Sequence, residues 1–188
     1  MTVNPTLPGT EQSIRRAASE LGIAGVRILP GFHNYSLDTP EVDALCNLLR
    51  RLRLPLFLTL RMEDERQCYL LYPRVLPVEE IISFLNRQSG IPTLICNVRL
   101  WEITELREAM QNRGDVFADC SGFKDKPFLH EYLTEHDLLR FVVYGSLAPV
   151  FCMTSTVLLM KDCVARTRAD EILSAENFLN SVARQENS

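Results

Sequence analysis

No stretch of the chain reaches the ~20 consecutive apolar residues that a membrane-spanning helix requires. The opening residues, MTVNPTLPGTEQ, have neither the basic nor the apolar region of a secretory signal, so a cytoplasmic protein is expected. Basic residues are not in excess. Lys and Arg number 20 against 24 Asp and Glu, a net charge of -4, which argues against nucleic-acid and membrane partners. There is no GxGxxG and no GxxxxGK[ST] phosphate loop. There is also no C-x-x-C pair. Cys46, Cys68, Cys96, Cys120, Cys152 and Cys163 are irregularly spaced, and several sit in apolar runs where a reduced, buried thiol is expected rather than a disulfide or zinc ligand.

What is there is a chain of 188 residues, 46% hydrophobic, enough for one sizeable core and a single domain over 1–188. Two kinds of segment alternate. The β-rich runs are GVRIL (25–29), PLFLTL (55–60), PTLICNV (92–98), DVFADC (115–120) and RFVVYG (140–145). Between them run apolar stripes of helical period: Ile14, Ala17, Ala18 and Leu21; Val42, Leu45, Leu49 and Leu52; Val78, Ile81, Ile82 and Leu85; Ile103, Leu106 and Met110. A last helix reads Ala169, Ile172, Leu179 and Val182. Thr39-Pro40 opens the second helix, with Glu41 and Asp43 suited to the positive end of its dipole. Gly22, Gly90 and Gly114 follow helices as C-terminal caps. The β runs are continuous rather than alternating, as parallel strands covered on both faces should be. The fold class is therefore α/β, built of parallel βα units. An open doubly wound sheet and part of a (β/α)8 barrel both fit this alternation.

In either layout chemistry sits at the carboxyl ends of strands. The first such loop, LPGFHNYSLDTP, offers His33, Asn34, Tyr35 and Asp38. The second run leads into Arg61, Glu63, Asp64, Glu65 and Arg66. The third ends at Asn97 and Arg99 beside Trp101, the fourth at Asp119, Cys120 and Ser121, and the fifth at GSLAP.

The order VRILPGFHNYSLDTPEVDALCNLLRRLRLPLFLTLRMEDER resembles the amidohydrolase-type metal-dependent hydrolases, TIM-barrel proteins that often read close to VRLHPNYHGYSLDDP…LPVQIHLRMEDER here. ADCSG and YGSLAP look like that family's seventh and eighth strand ends, and NPTLPGTEQSIRRAASELGIAGVR like its segment from the third strand to the fourth. The resemblance implies an incomplete, N-terminally shortened (β/α)8 barrel with strands three to eight, the third being a remnant near Val3. It implies a divalent metal such as Zn²⁺ for the family, but the ligands depart from the pattern. Strands one and two, with their His-x-His pair, are missing. The strand-five His falls on Thr59, the strand-six His near Asn97, and the strand-eight Asp on Leu147. A zinc site needs several imidazole and carboxylate donors converging, so no metal ligand is assigned.

His33 and Asp119 remain as catalytic candidates, and Arg61, Tyr35, Asn97 and Arg99 as substrate-binding ones. Each has a plainer reading. His33 is equally a loop residue bonded to nearby backbone, and His130 and His136, six apart, read as surface residues. An interior Arg61 requires a carboxylate partner or a bound anion, and Glu63 and Asp64 are the local choices. A nucleophilic Cys96 or Cys120 would need a base, and Trp101 with Tyr35 would form an apolar wall. Three functions follow: a degenerate family member that binds rather than hydrolyses; a longer protein whose upstream segment supplies the missing pair; or a hydrolase or lyase for a small carboxylate with a metal-free site built on Arg61, His33 and Asp119. Open edges on strands three and eight would call for a homo-oligomer or another partner chain.

Overall fold

The computed structural model describes residues 1–62, 72–123, 129–148, 153–154, 157–158, 160 and 175–186. Glu63, Asp64, Glu65, Arg66, Cys68, Pro149, Cys152, Cys163, Ala169 and Ile172, all named above, lie outside the described residues, as does the side chain of His130. No described helix is long and apolar enough to cross a membrane.

The strands are β1 (Thr2–Val3), β2 (Val26–Ile28), β3 (Leu56–Thr59), β4 (Thr93–Cys96), β5 (Val116–Asp119) and β6 (Val142–Val143). All pair in parallel in one sheet, in the order of the chain, β1-β2-β3-β4-β5-β6. A doubly wound sheet reverses its strand order at a switch point. This one never does, and six strands in sequence form the arc of a (β/α)8 barrel. The remnant strand near Val3 is present as β1. Among the described residues β1 and β6 are the two edges.

The helices are α1 (Thr10–Leu21), the single turn α2 (Pro30–His33), α3 (Pro40–Leu52), α4 (Val78–Arg87), α5 (Leu100–Arg113), α6 (Leu129–Glu135) and α7 (Glu176–Glu186). Thr39 and Pro40 start α3 as the sequence suggests, and Gly22 and Gly114 close α1 and α5 in the left-handed conformation. Where their positions are described, the stripes hold with two exceptions. Leu21, at the frayed end of α1, is 76% exposed. On α7 the buried position is Phe178 (6% exposed), one residue before the expected Leu179, which is 57% exposed.

The core is two clusters on the two faces of the sheet. Val26, Ile28, Leu56, Leu58, Ile95, Val116, Ala118 and Val142 face Ile14, Val42, Leu49, Ile81, Phe84, Ile103, Leu106 and Met110 from the helices. Their alternate neighbours Phe57, Leu94, Phe117 and Val143 point the other way, into the barrel interior, where Phe178 packs on them. Arg113, at the end of α5, fixes the amino-terminal rim. It donates to the carbonyls of Leu85 (2.7 Å), Gln88 and Ile91 (3.0 Å) and pairs with Asp115.

Phe84 is 1% exposed in the helix-side core. Phe84→Ala is expected to cost about 3–5 kcal/mol in urea unfolding, whereas Leu21→Ala should fall within about 0.5 kcal/mol of the parent.

Candidate functional site at the strand ends

Register places one row of side chains at the carboxyl rim of the inner face. Thr59 pairs with Cys96, and Asp119 with Val143. All four are buried. Among the described residues the Thr59 hydroxyl has no hydrogen-bond partner of ordinary geometry, and the Cys96 thiol lies against it and against Asp119.

Asp119 is the carboxylate of this row and is only 6% exposed. Its Oδ1 accepts from the backbone N–H of Asn97 (2.8 Å), the backbone N–H of Ser121 (3.1 Å) and the hydroxyl of Ser121 (2.6 Å). Burial pushes its pKa above the ordinary aspartate range, and these bonds pull it back only in part. Gly145, after β6, leaves the room this carboxyl occupies. A Cβ there would sit 2.6–2.7 Å from Asp119 side-chain atoms.

From Asn97 the polar chain continues outward. Asn97 adopts a left-handed φ of 58° immediately after β4. Its side-chain amide donates to the Arg61 carbonyl (3.1 Å), and the Arg61 guanidinium donates back to the Asn97 carbonyl (3.3 Å). The same guanidinium grips Glu102 with both terminal nitrogens, at 2.7 Å for Nη1 to Oε2. Glu102 is 1% exposed and also accepts from the Arg99 backbone N–H (2.8 Å), closing the first turn of α5. Arg61 therefore lies beyond β3 and pairs with a helix residue 41 positions away. Glu63 and Asp64 are not needed for this pairing. Glu102 did carry a signal in the sequence, a Glu at the third position of a helix, where it commonly bonds back to the cap.

His33 and Tyr35 belong elsewhere. His33 ends α2 and stacks on Tyr35 at 6.4 Å between centroids, with its Nδ1 buried and unbonded. Tyr35 is buried in the helix-side core, and burial raises its pKa. Trp101 is 51% exposed on α5, so it forms no apolar wall with Tyr35. Next to Tyr35, Arg74 donates to its carbonyl (3.3 Å) and pairs with Glu80. Burial alone would raise Glu80. Arg74, the Leu37 N–H and Ser36 together hold it below its ordinary value. The sequence reading missed this pair. The structure thus brings Arg61, Asn97, Arg99 and Asp119 into one network and leaves His33 and Tyr35 outside it.

The three described thiols, Cys46, Cys96 and Cys120, are buried and not poised as nucleophiles. Burial pushes Cys46 and Cys120 up to about 12, and Cys96 higher still. The His136 ring lies tilted against Tyr132, 4.4 Å between centroids. The three positions that the sequence resemblance maps to metal ligands offer poor donors. Thr59 offers a neutral hydroxyl, Asn97 an amide bonded to Arg61, and Leu147 no donor atom. Among the described residues no three His, Cys, Asp or Glu side chains are grouped to hold a metal ion.

No family model matches the chain, and no curated protein matches it. Solved structures do. An uncharacterised TIM-barrel protein from Bordetella bronchiseptica aligns at a TM-score of 0.70 and 14% identity, over 92% of this chain and 62% of that one. A probable 2-pyrone-4,6-dicarboxylic acid hydrolase from Acinetobacter baumannii, with citric acid bound, aligns at 0.65 and 13%, over 97% and 71%. A dihydroxybenzoic acid decarboxylase from a Polaromonas species, with bound manganese and an inhibitor, aligns at 0.63 and 12%, over 92% and 64%. Further matches include other decarboxylases and a putative amidohydrolase. The likeness is one of fold, and it is the barrel that the sequence resemblance implied. The chain spans less than two thirds of the length of the Bordetella and Polaromonas proteins.

Arg61→Ala would leave Glu102 charged and buried, and is expected to cost about 3–5 kcal/mol in denaturant unfolding. Asp119 gives a pH signature. Its folded-state pKa is raised, so the stability it contributes is full below the ordinary carboxylate range and is lost as pH rises through the raised value. Asp119→Asn, which cannot ionise, should show a flatter stability profile than the parent from about pH 4 upward. Thermal melts across that range measure the difference.

Proposed function

We propose that this chain is an amidohydrolase-like barrel segment that binds a ligand at its carboxyl rim without performing metal-dependent hydrolysis. The observation that carries this reading is the composition of the rim. The three positions mapped to metal ligands are Thr59, Asn97 and Leu147, and the carboxylate beside them, Asp119, is bonded to Asn97 and Ser121. A group held by three donors is positioned to brace a loop. Arg61 is likewise charge-compensated by Glu102, which weakens the case for an anion pocket on that residue. A small carboxylate remains the ligand class suggested by the resemblance, and a second copy or partner chain along β1 or β6 the assembly suggested by the open edges.

One observation favours the alternative, a metal-free lyase or hydrolase. The raised pKa of Asp119, in the inner row at the rim, is the property a general acid requires. Elemental analysis separates the readings. The purified chain, dialysed against Zn²⁺ or Mn²⁺ and then desalted, should retain well under one equivalent of either. Retention near one equivalent, lost on replacing Asp119 by Asn, would overturn the proposal. Metal-free turnover of a small aromatic carboxylate that Asp119→Asn abolishes would establish the alternative.

A further inference from the structure

The inner face of the sheet carries an apolar row that the barrel strands do not cover by themselves. Phe57, Leu94, Phe117 and Val143 form it, and their cluster is separate from the helix-side core. α7 sits on this row. The Phe178 ring meets Phe57 and Phe117 edge-on, each at 5.8 Å between centroids and 73° between planes. Val182, four residues on, lies on the same helix face, and Ala175, the residue before the helix, packs alongside. Asn177 donates to the Arg140 carbonyl at 3.4 Å.

Leu179 is 57% exposed, and Asn177, Asn180, Ser181 and Arg184 line an open cleft of 510 Å³ against the loops at Gly90 and Gly114. Phe57 and Leu94 stay half-buried, so the row continues past Phe178 towards β2, where Arg27 lies over the Phe57 ring at 5.9 Å. In a closed barrel the interior is filled by side chains of the strands themselves. Here a helix supplies an aromatic from outside the sheet.

We infer that this inner row is a helix-docking groove whose resident occupant is α7, and that α7 leaves and returns as a unit while the helix-side core stays folded. Two features support it: Phe178 is the one buried side chain among those described on α7, and the row it rests on lies on the sheet face opposite the helix-side core. Segments of that kind open at lower free energy than the body they rest on.

Hydrogen exchange on the unaltered full chain tests the unit. Amides of α7 should exchange together, at least about tenfold faster than those of β4 and α4. Exchange of α7 at the same rate as β4 would overturn the inference. The groove is tested on full-length Phe178→Ala, with circular dichroism reporting whether the sheet persists. A fluorescent peptide spanning Ala175–Glu186 should bind this variant, bind the parent chain far more weakly, and lose binding when it carries the same Phe178→Ala change. A folded variant that fails to bind the peptide, or a parent that binds it equally well, would sink the groove. If Phe178→Ala does not fold, the exchange result decides alone.

Discussion

The hydrogen bond from the Asn97 N–H to Asp119 joins the ends of β4 and β5, and the polar chain at the carboxyl rim is built outward from it. It holds Asn97 where its side chain can reach the Arg61 carbonyl, which in turn sets the Arg61 guanidinium against Glu102 and so fixes the start of α5. Each of these groups would be costly to bury alone. Each is tolerated because the next one answers it. The same wiring bears on function: the rim that other barrels use for chemistry is here occupied by residues already bonded to one another.

The alternation of strands and helices was readable because parallel strands covered on both faces are uniformly apolar while their helices keep a clear stripe. Periodicity could not choose between an open sheet and a barrel arc, since both are built from the same βα unit. The order of pairing chose. Resemblance in the YSLD and MEDER stretches anticipated the barrel, and resemblance in the opening segment from Asn4 to Arg27 the remnant strand at Val3. The candidate site was legible in part. Strand ends pointed to Arg61, Asn97, Arg99 and Asp119, which the structure links in one network, but the Arg61 partner on α5, Glu102, was not among the residues singled out, and the local acids Glu63 and Asp64 lie outside the described residues. Local sequence favours local partners, and a barrel rim joins loops that are far apart in the chain. On α7, Phe178 and Leu179 are adjacent, and composition alone does not say which of two neighbouring apolar residues meets the sheet.

The two faces of the sheet differ in kind. On the helix side, apolar residues from α1, α3, α4, α5 and all six strands form one continuous cluster with the buried Cys46 and Cys120 thiols among them. On the inner side the apolar row is short and gives way, at the carboxyl rim, to Thr59, Cys96 and Asp119. The unbonded Thr59 hydroxyl and the crowded Asp119 carboxyl sit in the same row. Polar capacity is thus unevenly shared along the rim, concentrated between β4 and β5 and sparse at β3.

The unbroken strand order also has a consequence for how the chain is made. Each strand finds its pairing partner in the strand synthesised just before it, so sheet growth can follow the nascent chain outward from the amino terminus without waiting for a distant segment. α7 is the exception. Phe178 reaches back to Phe57, across most of the sequence, and closes the longest loop described here. Strand pairing is thus local in sequence, whereas seating of α7 joins distant residues and can follow only once the strands beneath it have been made.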